Sequence, residues 1–464
     1  MAKEHIHLVG IGGTGMASLA GLLHQGGARV TGSDKALYPP TSILLSDLGL
    51  DVKVGFSRAN LDPKPDLVVI GNAISRGNPE AEEVLDRNLN YTSMPGVIRE
   101  RILPGRHSVV VAGTHGKTTT TSMLAWVLHQ AGIQPGYLIG GLPQDLPRSF
   151  DLGKGRPFVI EGDEYDTAFF DKGPKFMHYR PDTALLGTVE FDHADIFRDL
   201  THVKSVFRWL TNLVPGRGLL VRHEDCAVTR EVSDGALSRI EGYGLERGAW
   251  RAEGVQEGAI GIEFTILHDG ERFGKVTMPV GGIHNVLNGL AVVAAAADLG
   301  LDADAICRGL SSFQGVRRRL ELRGEVNGVA VLDDFAHHPT SIALTLKSVR
   351  NRYPGRRIWA VLEPRSWSMR RNVFQDRLVE AFAPADRVVL AEVFGLDAVP
   401  EELRLDVPRL ENDLRDGGKE VWYLPDVDAI VRQVASEAAP GDVVVIMSNG
   451  GFDGIHDRLL EALQ

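Results

Sequence analysis

Ser108-Val109-Val110-Val111-Ala112-Gly113-Thr114-His115-Gly116-Lys117-Thr118-Thr119-Thr120 decides how the chain is read. The run 108–112 has the apolar density of a buried strand. Beyond the turn, Ser122-Met123-Leu124-Ala125-Trp126-Val127-Leu128-His129 carries apolar residues at helical spacing. Strand, glycine turn, Lys-Thr and helix is the layout of a phosphate-binding loop. Glycines let backbone N–H groups face a polyphosphate, the helix N-terminus adds positive potential, and a lysine reaches the outer phosphates. A hydroxyl after the lysine can ligate Mg²⁺. The commoner spacing would put a glycine at position 111, where Val111 stands, so this is a short variant opened by Gly113. The alternative is an ordinary glycine-containing turn, and Gly116-Lys117-Thr118 at a helix start argues against it.

Upstream, His5-Ile6-His7-Leu8-Val9 reads as a strand, followed by Gly10-Ile11-Gly12-Gly13-Thr14-Gly15 and an apolar helix from Met16 to about Gln25. Arg29 to Asp34 forms the next strand and its end. This is a βαβ unit with a G-x-G-x-x-G turn and an acidic residue, Asp34, about 20 residues on. Alone it suggests NAD or FAD. Glycines at a helix N-terminus bind any diphosphate, however, so a nucleotide-sugar is an equally good ligand. A turn that only packs helix on strand is the structural alternative. Leu67-Val68-Val69-Ile70 is another buried strand, and Asn72 lies at its carboxyl end, where open parallel sheets place ligands. Asn72 and Asn78 also fit turn and helix-cap positions.

Downstream, the strand Phe158-Val159-Ile160 delivers Glu161-Gly162-Asp163-Glu164-Tyr165-Asp166. Four carboxylates within six residues repel unless a cation offsets them. A solvated turn is one explanation; Mg²⁺, which prefers oxygen ligands, is the other. Thr183 to Leu186 leads to Glu190-Phe191-Asp192-His193, where His193 is a capping residue or, in company with Glu164 and Thr118, a metal ligand. Phe264–Leu267 and Phe273–Met278 around His268-Asp269-Gly270 predict a hairpin added to the domain's edge. Asn285 and Asn288 open an Ala-rich, buried helix, as helix-start residues or as base-binding amides.

The basic run Arg317-Arg318-Arg319 follows a domain joint near Ser311-Ser312-Phe313, as a solvated face or with an arginine turned to phosphate. Strands at 329–332, 358–362, 388–390, 421–423 and 443–447 then alternate with helices, which makes a second open α/β sheet. Its strand ends carry Asp333 to Thr340, Glu363 to Arg371 and Ser448 to His456. Three polar clusters on one edge suit a ligand with several functional groups, although Pro339-Thr340 also fits a helix start.

The bulk numbers agree. A length of 464 residues suits about three domains, each able to bury a core. Apolar content of 43% and charged content of 24% are ordinary for a globular chain. A net charge of −11 argues against nucleic acid as a partner. The two cysteines, Cys226 and Cys307, cannot build a disulfide framework and are expected reduced and buried. Met1-Ala2-Lys3-Glu4 runs into a strand without a signal-peptide pattern, and no stretch approaches the roughly 20 apolar residues of a membrane span. The expectation is a cytoplasmic protein with no membrane partner.

Gly113 to Thr120, Asp163-Glu164, Asp192-His193, His284-Asn285 with Asn288, and Asp334 with His337-His338-Pro339 together resemble the Mur ligase family along essentially the whole chain. The resemblance implies an α/β fold of three domains. A Rossmann-like domain binding UDP-N-acetylmuramate would span 1–106, a central P-loop ATPase domain 107–312, and a Rossmann-like, peptide-binding C-terminal domain 313–464. It also implies an ATP-dependent amide-forming ligase of peptidoglycan metabolism. Gly10-Ile11-Gly12-Gly13-Thr14-Gly15-Met16 is similar to the branch taking UDP-N-acetylmuramate itself. Three stretches look like the member that attaches the tripeptide L-alanyl-γ-D-glutamyl-meso-diaminopimelate in murein recycling. They are Ile160 to Asp171 with Pro174 to Asp182, Glu363-Pro364-Arg365-Ser366, and Met447 to Phe452. The alternative is the UDP-N-acetylmuramate–L-alanine ligase of biosynthesis.

Carried over residue by residue, the resemblance puts ATP on Gly113, Thr114, His115, Gly116, Lys117, Thr118, Thr119, Asn285, Asn288, Arg318 and Asp334. It puts Mg²⁺ on Thr118, Glu164 and His193, and the UDP-sugar on Gly12, Gly13, Thr14, Gly15, Met16, Asp34 and Asn72. The peptide falls to Arg365, Ser448 and Asn449, and catalysis to Lys117, Glu164, His193 and His337. Several family members hold a second Mg²⁺ with a carbamylated lysine; here that neighbourhood reads Lys204 to Arg208, so no such lysine is expected.

Overall fold

The computed structural model describes residues 3–258 and 260–464. The Met1-Ala2 end of the signal-peptide reading therefore lies outside the described residues. Three sheets follow one another along the chain. The first contains β1 (His5–Val9), β2 (Arg29–Asp34), β3 (Asp51–Val54), β4 (Leu67–Ile70) and β5 (Tyr91–Ser93) in the order β3-β2-β1-β4-β5, all parallel. Both faces of β4 are buried, as a Leu-Val-Val-Ile run in a helix-covered parallel sheet requires.

The second unit holds β6 (His107–Ala112), β7 (Gly136–Leu138), β8 (Phe150–Asp151) and β9 (Pro157–Glu161). A small hairpin of β10 (Asp166–Ala168) and β11 (Asp171–Pro174) follows, then β12 (Thr183–Leu186), β13 (Leu219–His223) and β14 (Arg239–Gly244). β15 (Trp250–Gly258), β16 (Gly261–His268) and β17 (Glu271–Met278) complete it. Ten of these form one sheet, β17-β16-β15-β14-β13-β12-β6-β9-β7-β8. The expected hairpin is β16–β17; it sits at the sheet edge, joined through β15, whose broken alternation hid it. The helix Ile283–Asp298 is buried on this sheet from Gly289 through Ala296.

The third sheet runs β18 (Glu321–Val326), β19 (Val329–Asp334), β23 (Val443–Met447), β20 (Ile358–Leu362), β21 (Arg387–Ala391) and β22 (Glu420–Leu424). β19, β23, β20 and β21 are parallel, so their carboxyl ends present one edge. Among the described residues no helix is long and apolar enough to cross a membrane. Cys226 and Cys307 are free but half-buried, not the buried pair expected.

The first two units share a core: Ile6, Leu8, Leu19 and Leu22 cluster with Val110, Phe150, Phe158 and Phe207. At the junction the helix Thr14–Gln25 presents Gly21 to Phe150, and a Cβ there would stand 2.0 Å from Phe150 Cζ. Gly21→Ala therefore overpacks the seam. It should cost about 1–3 kcal/mol, read as a lowered melting temperature. The third unit meets the central one mostly through polar contacts, with Phe191 packed against its core. Thr340 Oγ1 donates to Glu190 (2.7 Å), Ser368 Oγ to Asp192 (2.8 Å) and Arg371 to the Ala194 carbonyl (2.9 Å). Such a seam exchanges its hydrogen bonds for water at small net cost, whereas the apolar seam does not.

Candidate functional site

β6 ends at Ala112, and the loop behind it needs its glycines. Gly113 has φ 132°, and a Cβ there would meet Gly187 at 3.1 Å. Gly116, at φ 77°, precedes the helix Lys117–Gln130; its Cβ would lie 2.6 Å from Asn288 Oδ1. Lys117 Nζ donates to the Gly113 carbonyl (2.8 Å) and to Glu164 Oε1 (3.0 Å). His193 Nε2 is 3.1 Å from the same carboxylate oxygen. Burial opposes the charge on Lys117, but Glu164 outweighs it and raises the lysine's pKa. Glu164 is likewise held below the usual carboxylate range: burial pushes it up, and Lys117 and His193 more than offset that. His193 is raised, its own burial penalty being overcome by Glu164.

Glu164 Oε2 is buried and has no hydrogen bond of good geometry, although Lys117 Nζ lies 2.9 Å away. Thr118 Oγ1 meets Glu161 Oε1 (2.9 Å) rather than Glu164. Burial is the main influence on Glu161 and raises its pKa. Two carboxylates, a hydroxyl and an imidazole thus converge beside the lysine, a donor set suited to a hard cation. Glu161 was not singled out from the sequence, because one of four clustered carboxylates cannot be chosen without the fold.

A cavity of about 620 Å³ opens beside the loop between the central and third units, lined by His115, Gly116, Thr119, Asn285, Asn288 and Asp334. Asn285 is buried, donating to the Gly281 carbonyl (2.6 Å) and accepting from Asn288 (3.1 Å). Asp334 accepts from the Leu320 and Ala336 N–H groups (both 2.8 Å), so it shapes the joint as it lines the cavity. Gly113, Thr114, Lys117 and Thr118 are not on this wall. Arg318 donates to the Ser448 and Gly450 carbonyls (both 2.7 Å), and its neighbour Arg319 lines the cavity. The segment turns here, with Arg318 at φ 60°, and that turn sends the two neighbouring side chains different ways. The run itself could not say which arginine faces in.

In the first unit the Gly12 N–H donates to Asp34 Oδ2 (2.8 Å) and the Lys35 N–H to Oδ1 (2.7 Å). Asp34 therefore holds the glycine turn in shape. Gly13, Thr14 and Asn72 are exposed and Gly15 is half-buried. The Met16 side chain is core, 6% exposed, because the helix must bury that face, so only its backbone is open to a ligand. Asn78 caps the helix Pro79–Asp86, accepting from the N–H groups of Glu80 and Ala81.

On the third sheet's edge, Arg365 lies across Phe394, its guanidinium 3.8 Å from the ring centre, and Nη1 reaches Glu363 (3.3 Å). Ser448 is turned into the loop. Its hydroxyl is buried, donating to Glu363 and accepting from the Gly450 N–H (2.8 Å), so it orders the loop instead of facing it outward. Asn449 Oδ1 is buried without a partner. His337 Nδ1 faces the Phe335 carbonyl at 2.9 Å, which assigns the ring proton to Nδ1 and leaves Nε2 free, 4.0 Å from Asp192. Burial lowers the pKa of His337. Lys204 and Arg208 share Glu231 (2.6 and 3.1 Å).

His115, Glu190 and His338 lie close enough to hold a metal. Their hydrogen bonds say otherwise. His338 Nδ1 accepts the Thr340 N–H (3.2 Å), so Nε2 carries the proton and donates to the Phe191 carbonyl (3.2 Å). Glu190 already takes Thr340 and Arg377. This is the seam between units. Burial lowers the His338 pKa to about 3. The unfolded chain then binds a proton near pH 6.5 that the folded chain refuses until about pH 3. Stability from this group is complete above pH 6.5 and is lost as pH falls through that window, at up to about 1.4 kcal/mol per pH unit. His338→Asn keeps an acceptor for the helix cap and should flatten the dependence of melting temperature on pH between 7 and 5.

Comparison with known proteins agrees with this geometry. Family models described as "Mur ligase family, catalytic domain", "Mur ligase middle domain" and "Mur ligase, glutamate ligase domain" match residues 5–102, 111–296 and 318–450. The chain is 44% identical over 460 residues to the UDP-N-acetylmuramate–L-alanyl-γ-D-glutamyl-meso-2,6-diaminoheptandioate ligase of Escherichia coli K12, covering 99% of this chain and 98% of that one. To the UDP-N-acetylmuramate–L-alanine ligase of Acetivibrio thermocellus it is 33% identical over 466 residues, covering 99% and 96%. Among solved structures, a murein peptide ligase of Psychrobacter arcticus 273-4 superposes with a TM-score of 0.74 at 39% identity, covering 99% and 98%.

Proposed function

The chain belongs to the Mur ligase family of ATP-dependent, amide-bond-forming ligases, and from that membership we propose that it joins L-alanyl-γ-D-glutamyl-meso-diaminopimelate to UDP-N-acetylmuramate. The observation that carries the choice of amine is the third sheet's edge, where Arg365 offers a guanidinium packed on the Phe394 ring, 3.8 Å from its centre. A free amino acid has one carboxylate; the tripeptide has three, and guanidinium binds carboxylate in a two-pronged manner. The higher identity to the tripeptide ligase, 44% against 33% to the alanine ligase, supports the same reading.

A carboxylate is a poor electrophile because oxide is a poor leaving group. ATP transfers its γ-phosphoryl group to the lactyl carboxylate, giving an acyl phosphate and ADP. The alanine amine then attacks the acyl carbon, and the tetrahedral intermediate collapses to amide and phosphate. The protein's part is positioning and charge neutralisation. Lys117, with the loop from Gly113 to Thr119, takes the β- and γ-phosphates, exchanging Glu164 for phosphate. Asn285, Asn288 and Asp334 border the nucleotide in the cavity, with Arg319 in the place expected of Arg318. Thr118, Glu164 and His193, with Glu161, would hold Mg²⁺, whose charge there offsets that of the phosphates; Glu164 Oε2, buried with only the Lys117 ammonium beside it, fits that role once the lysine turns to phosphate. His337 Nε2, neutral and free, takes the proton the amine sheds. The N–H groups of Thr14 and Gly15, at the helix start, face the UDP diphosphate, with Asn72 on the neighbouring strand end; Asp34 holds the glycine turn through the Gly12 N–H, and Met16 contributes backbone only.

Phosphate release with ATP, Mg²⁺ and UDP-N-acetylmuramate tests the assignment. Release with the intact tripeptide and not with free L-alanine is the expected result. Release with alanine alone would make this the biosynthetic enzyme.

A further inference from the structure

Arg365 is closely flanked by two residues. Its guanidinium carbon lies 3.8 Å from the centre of the Phe394 ring, and a Cβ added at Gly450 would stand 2.6 Å from Arg365 Cδ and Nε. Gly450 has an ordinary backbone conformation, so the space it leaves, not its flexibility, is what Arg365 uses. The loop under it is pinned. Arg318 donates to the Ser448 and Gly450 carbonyls at 2.7 Å each, and the Gly450 N–H binds Ser448 Oγ at 2.8 Å. Ser448 in turn donates to Glu363, which also takes Arg365 Nη1 at 3.3 Å. The Phe394 side is tethered as well, since Arg370 donates to the Phe394 and Gly395 carbonyls (3.3 and 3.1 Å). The other N–H groups of Arg365 meet no protein acceptor among the described residues.

Resting on the reading of Arg365 as a peptide contact, we infer that Gly450 and Phe394 are positioning residues that fix the plane of the Arg365 guanidinium, and so determine selectivity for a peptide bearing several carboxylates. A carboxylate meets both N–H groups of a guanidinium only in its plane. A slot that fixes the plane lowers the ordering cost of binding. Phe394 is 48% exposed, an uneconomical place for a phenyl ring unless something stacks on it.

Three variants test this, with kcat and KM measured for tripeptide and for ATP. Gly450→Ala should raise the tripeptide KM about 10-fold and Phe394→Leu about 3-fold. In both, kcat and the ATP KM should hold. Phe394→Tyr, which keeps the ring, should behave as the parent. Because both residues act through Arg365, neither substitution should add to the effect of Arg365→Ala in a double variant. Additive effects, or a fall in kcat with KM unchanged, would overturn the inference. If Arg365→Ala raises the tripeptide KM while Gly450→Ala and Phe394→Leu do nothing, the slot is wrong and the peptide contact stands. If Arg365→Ala itself leaves the tripeptide KM unchanged, the peptide reading fails and the slot with it.

Discussion

Lys117→Ala should lower turnover by at least about 10³-fold, the upper range for removing one charge-stabilising donor from a transition state. Binding of UDP-N-acetylmuramate, followed by calorimetry, should stay nearly unchanged. The reasoning starts from the ammonium group. Lys117 Nζ is anchored on the Gly113 carbonyl and Glu164, within the loop expected to cradle phosphate. Among the described residues no lysine lines the cavity, and alanine cannot reach. Loss of Lys117 also leaves Glu164 buried beside His193 alone, so the carboxylate's pKa should move up from its depressed position. The UDP-sugar measurement separates the two consequences, since a general loss of fold would abolish it as well. Turnover within tenfold of the parent would sink the phosphate role.

Arg365→Ala should raise the KM for tripeptide about 10- to 100-fold, the range for losing a charge-assisted, two-pronged hydrogen bond. The KM for ATP should hold. Arg365 is half-buried, touching Glu363 and Phe394, so its removal leaves Glu363 still bound by Ser448. The fold should tolerate that. Equal rises for both substrates would instead mark a structural part in docking the third unit.

Arg365 and Lys117 were both legible in the chain, because each follows an apolar strand at the end where parallel sheets place their ligands. Glu164, His193 and Asn288 were named through the family resemblance, and the fold places Glu164 and His193 beside Lys117 and Asn288 on the cavity wall. Strand-end position could not decide where a choice lay within a cluster. Arg318 and Arg319 are neighbours of one charge type, and only the turn at φ 60° decides which faces the cavity and which clamps the Ser448 loop. Ser448 looked like a ligand contact, but its hydroxyl is spent on Glu363. Met16 sits in a glycine-rich motif, yet helix amphipathicity sends its side chain into the core.

The sequence by itself determined the three α/β units, the phosphate loop and the polar strand ends, because those follow from periodicity and from backbone chemistry local to a few residues. Only the tertiary structure decided which units share an apolar seam and which meet through hydrogen bonds. Only it paired Thr118 with Glu161 and laid Arg365 between Phe394 and Gly450. Those contacts join residues tens of positions apart, and their geometry is set by packing that no local pattern encodes.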